Sequence, residues 1–232
     1  MNVHPLRLIT VSREFGAGGS ELARELGARL GWPVLDHDIV HRVATRLRMD
    51  AETVEHFDEH APSLLARIAT VLIVPQPDLY AFPPLAEIPS HDAIAAAATR
   101  VIEEAVAAPP LIVVGHGAQC ILAGRPDALH LRVVAPVEAR LQRVTARLTV
   151  DAADAGSLVR RADHDRRAYL QRYFQRDWDS ALLYDLQFNT GRVAVAEGAA
   201  IVAQLVAARS GGDAEPSATS AESGGAPASG RS

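Results

Sequence analysis

The sequence predicts an α/β fold built on a parallel sheet, and three features lead to that reading. The strand-like segments are continuous apolar runs, with Leu111-Ile112-Val113-Val114 the clearest, as strands covered on both faces require. These runs alternate with segments of helical spacing from residue 6 to residue 208. The first run breaks into the glycine-bearing stretch Ser12-Arg13-Glu14-Phe15-Gly16-Ala17-Gly18-Gly19-Ser20 and then resumes at helical spacing, an arrangement of strand, loop and helix.

Leu6 to Val11 is the expected first buried strand. After the loop, Leu22, Ala23, Leu26 and Leu30 share one helical face and Glu21, Arg24, Glu25 and Arg29 the other, with a stop near Gly31. Pro33-Val34-Leu35-Asp36 reads as a short second strand, and Asp38 to Ala44 resumes helical spacing. Asp36 and Asp38 then fall where open α/β sheets bind ligands, at a strand's C-terminal edge. Residues 50–108 read as a helical insertion broken midway by Pro75, Pro77, Pro83, Pro84 and Pro89, with Ser90 capping an alanine-rich helix from Ile94 to Val106. A third strand, Leu111 to Val114, ends at Gly115-His116-Gly117. A fourth covers Ala128 to Val134, and Pro136 opens a helix running to about Leu148. Val159 to Trp178 is the most basic segment, carrying Arg160, Arg161, Arg166, Arg167, Arg172 and Arg176, and is expected as a long helix or helical hairpin. Leu183 to Thr190 is the last strand and Val195 to Ala208 the last helix. Residues 210–232 are rich in Gly, Ser, Ala and Pro and read as a disordered tail, leaving one domain over residues 1–209.

Composition narrows the function classes. At 232 residues, 48% apolar and 22% charged, the chain has the make-up of a soluble globular protein. It holds no apolar run near the roughly 20 residues that cross a bilayer. No export signal opens it, so a cytoplasmic protein is expected, without a membrane partner. A net charge of −5 argues against a nucleic-acid partner. Cys120 is the single cysteine, which excludes a disulfide framework and reads as a buried thiol. His56 and His60 lack a metal motif and read as surface residues, while Tyr169, Tyr173 and Trp178 read as core caps. The sequence is silent on oligomeric state.

The chain contains no lysine: all 23 basic residues are arginine. This bears directly on the glycine loop, whose clustered glycines and following helix N-terminus suit a phosphate cradle. Aligned with the phosphate-loop pattern G-x-x-x-x-G-K-S/T, the stretch keeps Gly18 and Ser20 but has Arg13 at the first glycine and Gly19 at the lysine. Phosphate charge must therefore be met by arginine, backbone N–H groups and a metal.

The ordered set of Ser12 to Gly19, Asp36-His37-Asp38, Val114 to Gln119, Ala135 to Arg140, Asp165 to Tyr169, Tyr184-Asp185-Leu186 and Asn189-Thr190 resembles the bacterial cytidylate kinase-like family, within the P-loop nucleoside-monophosphate kinases. The resemblance covers about residues 6–208. It implies a P-loop NTPase fold: three-layer α/β/α, with a five-stranded parallel sheet of order 2-3-1-4-5, a helical acceptor-side insertion and an arginine-rich lid at about residues 155–180. It implies ATP-dependent phosphoryl transfer to a nucleoside monophosphate, CMP or dCMP, with Mg²⁺. Gly16, Ala17, Gly18, Gly19 and Ser20 would hold the donor phosphates, and Asp36, Asp38, Arg42 and His116 the acceptor. Arg13, Arg161, Arg166 and Arg167 would supply catalytic charge, and Ser20 and Asp36 would meet the metal. Ser20 has a second reading as a helix cap, Arg13 as a surface ion pair, and Asp36 as a turn residue. At Gly115-His116-Gly117 the chain departs from the Gly-Arg-Asp of cytidylate kinase. Two other functions fit the same residues: a nucleotide-binding regulator of little activity, or a kinase of another small acceptor.

Overall fold

A computed structural model of the chain describes residues 4–36, 39, 42, 43, 46 and 91–210. Most of the 50–108 insertion, Asp38, Ser90, His56, His60 and the 211–232 tail lie outside the described residues.

The sheet has five parallel strands, β1 Leu8–Arg13, β2 Val34–Leu35, β3 Leu111–Val114, β4 Ala128–Val134 and β5 Leu186–Asn189, in the order β2-β3-β1-β4-β5. The order is the one expected. β1 lies at the centre, pairing Leu8 with Leu111 on one side and with Ala128 on the other. The helices are α1 Gly19–Leu30, α2 His91–Ala105, α3 Ala118–Ile121, α4 Val137–Leu148, α5 Ala152–Phe174 and α6 Val195–Ser210.

Strand alternation divides the core into two layers. Ile9, Val11, Ile112, Val114, Leu131 and Val133 pack against Leu22 and Leu26 of α1 and Val202 of α6. Leu8, Leu111 and Val113 pack on the opposite face against Ile94, Val101 and Ile102 of α2. A third cluster joins Phe15 to Val144 of α4 and to Ala155, Val159 and Ala162 of α5. The glycine loop is thereby fastened to the helices that follow β4.

Several elements differ from the sequence expectation; α2 begins at His91 rather than at Ile94. The arginine-rich segment is one helix of 23 residues, beginning earlier, at Ala152, because Asp151 accepts the Asp154 N–H at 2.8 Å as an N-cap. β5 is shorter than expected, since Ala181–Leu183 turn as a 3₁₀ helix. The four-residue α3 carries too few residues to show a periodicity.

Candidate functional site

β1 delivers Arg13 to the C-terminal edge of the sheet, where Glu14 N–H donates to Val133 O at 3.0 Å and the chain turns. Gly16 and Gly18 take φ of 80° and 86°, a region that favours glycine. Gly18 stands at the N-cap of α1, so Ser20 lies one residue inside the helix and the cap reading of Ser20 is corrected. The first N–H groups of α1 have no acceptor within the helix and point, with its positive dipole end, out of the loop. Ala17 N–H is spent inside the turn on Glu14 O at 3.1 Å, and Phe15 N–H on Asp163 Oδ1 at 2.8 Å.

Arg13 lies at this edge with its side chain 16% exposed and Nη2 at 3.6 Å from Asp36 Oδ1. Its ion-pair reading is therefore met, but with a mostly buried partner rather than on the surface. Arg166 Nη1 donates to the Arg13 carbonyl at 2.9 Å and lies 3.6 Å from Asp163 Oδ1. Burial lowers the pKa of both guanidinia; Asp36 opposes the shift at Arg13. Arg166 is lowered to about 9, by burial first and then by the nearby Arg13 charge, against Asp163 and Asp36. The loop thus holds two crowded, partly dehydrated cations, which an anion bound between them would relieve.

Side chains beyond the glycine motif set the loop's shape. Arg140 Nη1 pairs with Asp163 Oδ2 at 2.5 Å, and Arg140 Nε lies 3.5 Å from Glu14 Oε2. Glu14 Oε2 in turn accepts the Ala135 N–H at 3.1 Å. On the other side, Arg143 donates to Thr190 Oγ1 at 2.8 Å and to Thr190 O at 2.9 Å, while the Thr190 hydroxyl donates to Ala17 O at 2.6 Å. Sequence reasoning missed Arg140, Asp163, Arg143 and Thr190 in this role. Arg140 and Thr190 fell in matched segments with no role attached, and Asp163 and Arg143 in none, because their partners lie more than 20 residues away.

The remaining site residues are spread unevenly. Arg167 Nε donates to Asp179 Oδ2 at 2.7 Å and its guanidinium covers the Trp178 ring, so it braces the segment that follows α5. Arg161 is exposed on α5, and Arg42 is exposed on the helical segment after β2. His116 sits between Gly115 and Gly117, all three with positive φ, at the C-terminal edge of β3. Trp178 is 2% exposed, and its indole N–H donates to Ser12 Oγ at 2.8 Å.

Three polar side chains in the matched segments Val114 to Gln119 and Asp165 to Tyr169 were given no functional role by the sequence. Gln119 Nε2, Asp165 Oδ2 and the Tyr169 hydroxyl are buried without a hydrogen-bond partner. Asp165 and Tyr169 are four residues apart and so share a face of α5. Burial raises the pKa of both. Burial also pushes the nearby Cys120 thiol up to about 11, which keeps it inert at neutral pH. A cavity of about 460 Å³ opens between α2 and the end of α5, lined by Asp92, Thr99, Arg172, Tyr173 and Phe174 among others. Arg172 bridges it to Asp92 at 3.0 Å.

Among the described residues no cluster of three or more His, Cys, Asp or Glu side chains could hold a metal. Mg²⁺ needs no such cage, since it is commonly held by one or two side chains together with substrate phosphates. No helix among the described residues is long and apolar enough to cross a membrane.

A five-stranded parallel sheet of this order, with a phosphate-type loop between its central strand and the following helix, is the P-loop NTPase fold. The model of the cytidylate kinase-like family matches residues 8–192, and the chain belongs to that family. Solved structures of the same fold include an uncharacterized protein from Eubacterium ventriosum ATCC 27560, with TM-score 0.61 and 19% identity, covering 86% of this chain and 98% of that one. TT1252 from Thermus thermophilus matches at TM-score 0.51 and 22% identity, over 88% of this chain and 98% of its own. Shikimate kinase from Bacteroides thetaiotaomicron matches at 0.50 and 10%, over 86% and 98%. At these identities the shared property is the fold. No curated protein matches the chain.

Proposed function

We propose that the protein transfers the terminal phosphoryl group of ATP to a nucleoside monophosphate, with CMP and dCMP the first acceptors to test. The observation that carries this reading is the pair of mostly buried guanidinia, Arg13 and Arg166, at the glycine loop. In a lysine-free chain arginines must supply the cations for donor phosphates, and these two stand at the loop together with Arg143, whose Nη1 lies 3.4 Å from Gly16 O. Gly16, Ala17, Gly18, Gly19 and Ser20 would wrap those phosphates, with the free N–H groups of the α1 start as donors. Mg²⁺ held by Ser20 and Asp36 would neutralise donor charge. In the transfer, an acceptor phosphate oxygen bonds to the γ-phosphorus, the bond from that phosphorus to the β–γ bridging oxygen breaks, and ADP leaves. The attacking oxygen is already ionised at neutral pH, so the chain's task is positioning and charge neutralisation. Arg161 and Arg167 would join through the lid, and Asp36, Asp38, Arg42 and His116 would face the acceptor. The unpartnered Gln119, Asp165 and Tyr169 atoms support an acceptor rich in hydrogen-bonding groups.

A regulator that binds nucleotide without transfer is the competing reading, favoured by the missing lysine. Both are tested by ADP production from Mg·ATP over a panel of nucleoside monophosphates, with Arg13→Ala as control. Shikimate belongs in the panel because a shikimate kinase shares the fold. Turnover on CMP or dCMP that collapses in the variant is the expected result. ATP binding without turnover on any acceptor would overturn the kinase reading.

A further inference from the structure

The two departures of the loop from the phosphate-loop pattern, an arginine at the first glycine and a glycine at the lysine, meet each other in space. Arg13 continues the alternation of Ile9 and Val11 and so leaves β1 on the face that α1 covers. Its side chain must cross the start of that helix. A Cβ placed on Gly19 would lie 2.7 Å from Arg13 Cγ and closer still to Arg13 Cβ. Those atoms are next to the backbone and have no room to swing aside. Gly19 is a helical residue outside the positive-φ region, so backbone conformation does not demand glycine there; the crossing side chain does. Further out, the guanidinium runs over Gly115 at the end of β3, where a Cβ would lie 3.0 Å from Arg13 Cζ and closer to Nη1. Gly19 and Gly115 are the two walls of a slot that ends at Asp36.

We infer that Arg13 and Gly19 are a reciprocal exchange: the loop's cation has moved from the first residue of the helix to the last residue of the strand, and the glycine has moved the opposite way, because only one of these facing positions has room for a side chain. Gly19 is a positioning residue that fixes the course of Arg13, and Gly115 does the same for its tip. The aspartate at the end of β2 fixes where the charge comes to rest. The inference rests on the phosphate-binding reading of the loop for its charge, and on the packing alone for its steric part.

The test compares the whole protein with Arg13→Gly, Gly19→Lys and the double variant Arg13→Gly/Gly19→Lys, which restores the complete pattern. Two readouts are used: the melting temperature, and the affinity for Mg·ATP by calorimetry. Arg13→Gly is expected to melt within a few degrees of wild type and to weaken Mg·ATP about tenfold or more. Gly19→Lys alone overfills the slot and is expected to melt about 3–10 °C lower, with Arg13 displaced and affinity reduced to a similar degree. The double variant is expected to recover both, binding Mg·ATP within about threefold of wild type. Additive losses in the double variant would overturn the inference, as would a Gly19→Lys protein that melts and binds like wild type. If Gly19→Lys does not fold, the pair Gly19→Ala and Arg13→Gly/Gly19→Ala tests the same steric exchange by melting temperature; a double variant no more stable than Gly19→Ala would overturn it. Because no acceptor is used, a protein that follows the cycle yet phosphorylates no acceptor overturns the kinase reading and leaves this inference standing.

Discussion

Asp163 Oδ1 accepts the backbone N–H of Phe15 at 2.8 Å, joining the arginine-rich helix to the turn of the phosphate loop across 148 positions of sequence. Its other oxygen holds Arg140 at 2.5 Å, and Arg140 reaches toward Glu14. The loop is therefore shaped by α4 and α5, which arrive after β4, as much as by its own glycines.

Asp163→Ala removes both contacts at a residue 5% exposed and leaves Arg140 buried without its main counter-charge. A loss of about 3 kcal/mol in unfolding free energy is expected from urea denaturation. Asp163→Asn keeps an acceptor for Phe15 N–H and is expected to lose less. Equal losses would mean that the charge, rather than the loop contact, dominates.

Arg166 and Arg167 are neighbours in sequence with different surroundings. Arg166 is 21% exposed and bonds the Arg13 carbonyl, whereas Arg167 is 47% exposed and bonds Asp179. Arg166→Ala is expected to weaken Mg·ATP about tenfold or more. Arg167→Ala is expected to change that affinity by less than about threefold and stability by less than about 1 kcal/mol. Calorimetric titration of both variants checks the ranking.

Trp178 ties the segment that follows α5 to β1 through Ser12. Trp178→Phe keeps most of the packing and loses this hydrogen bond, at a cost of about 1 kcal/mol, while Tyr184 remains 3.4 Å from Ser12 Oγ. Trp178→Ala also removes the ring that Arg132 and Arg167 cover, and is expected to cost about 3–5 kcal/mol by denaturation.

His130, half-buried on β4, places Nδ1 at 2.9 Å from Thr10 Oγ1. Burial lowers its pKa below the ordinary 6.5, with Asp185 opposing. The folded protein then binds this proton less tightly than the unfolded chain, so the unfolded chain holds more protons in that range and stability rises with pH. The contribution is complete above about pH 6.5, the unfolded value, and is lost as pH falls through it toward the lower folded value. Wild type is expected to lose more stability than His130→Asn between about pH 7.5 and about pH 5.5. Parallel denaturation curves at the two pH values check this.

Much of the fold is legible in the chain because the local patterns are strong. Four-residue runs such as Leu111 to Val114 are apolar on both faces, and the helices between them keep an apolar stripe. The bounds of the arginine-rich helix α5 are less legible, since its start depends on one capping carboxylate, Asp151, and its interior mixes arginine with small residues. In the site, Arg13, the loop glycines and Arg166 stand out as residue types. Asp163, Arg140, Arg143 and Thr190 do not, because what marks them is contact with distant backbone atoms.

By itself the sequence determined an α/β chain with a glycine loop after its first strand and no lysine anywhere, since periodicity and residue type are local properties. Only the tertiary structure decided where the loop's charge rests. Strand alternation turns Arg13 onto the face covered by α1, and the close approach of two glycines leaves one course for its side chain, toward Asp36. Steric exclusion between residues six apart along the chain, and between two separate loops, exists only once β1, α1 and β3 are packed together.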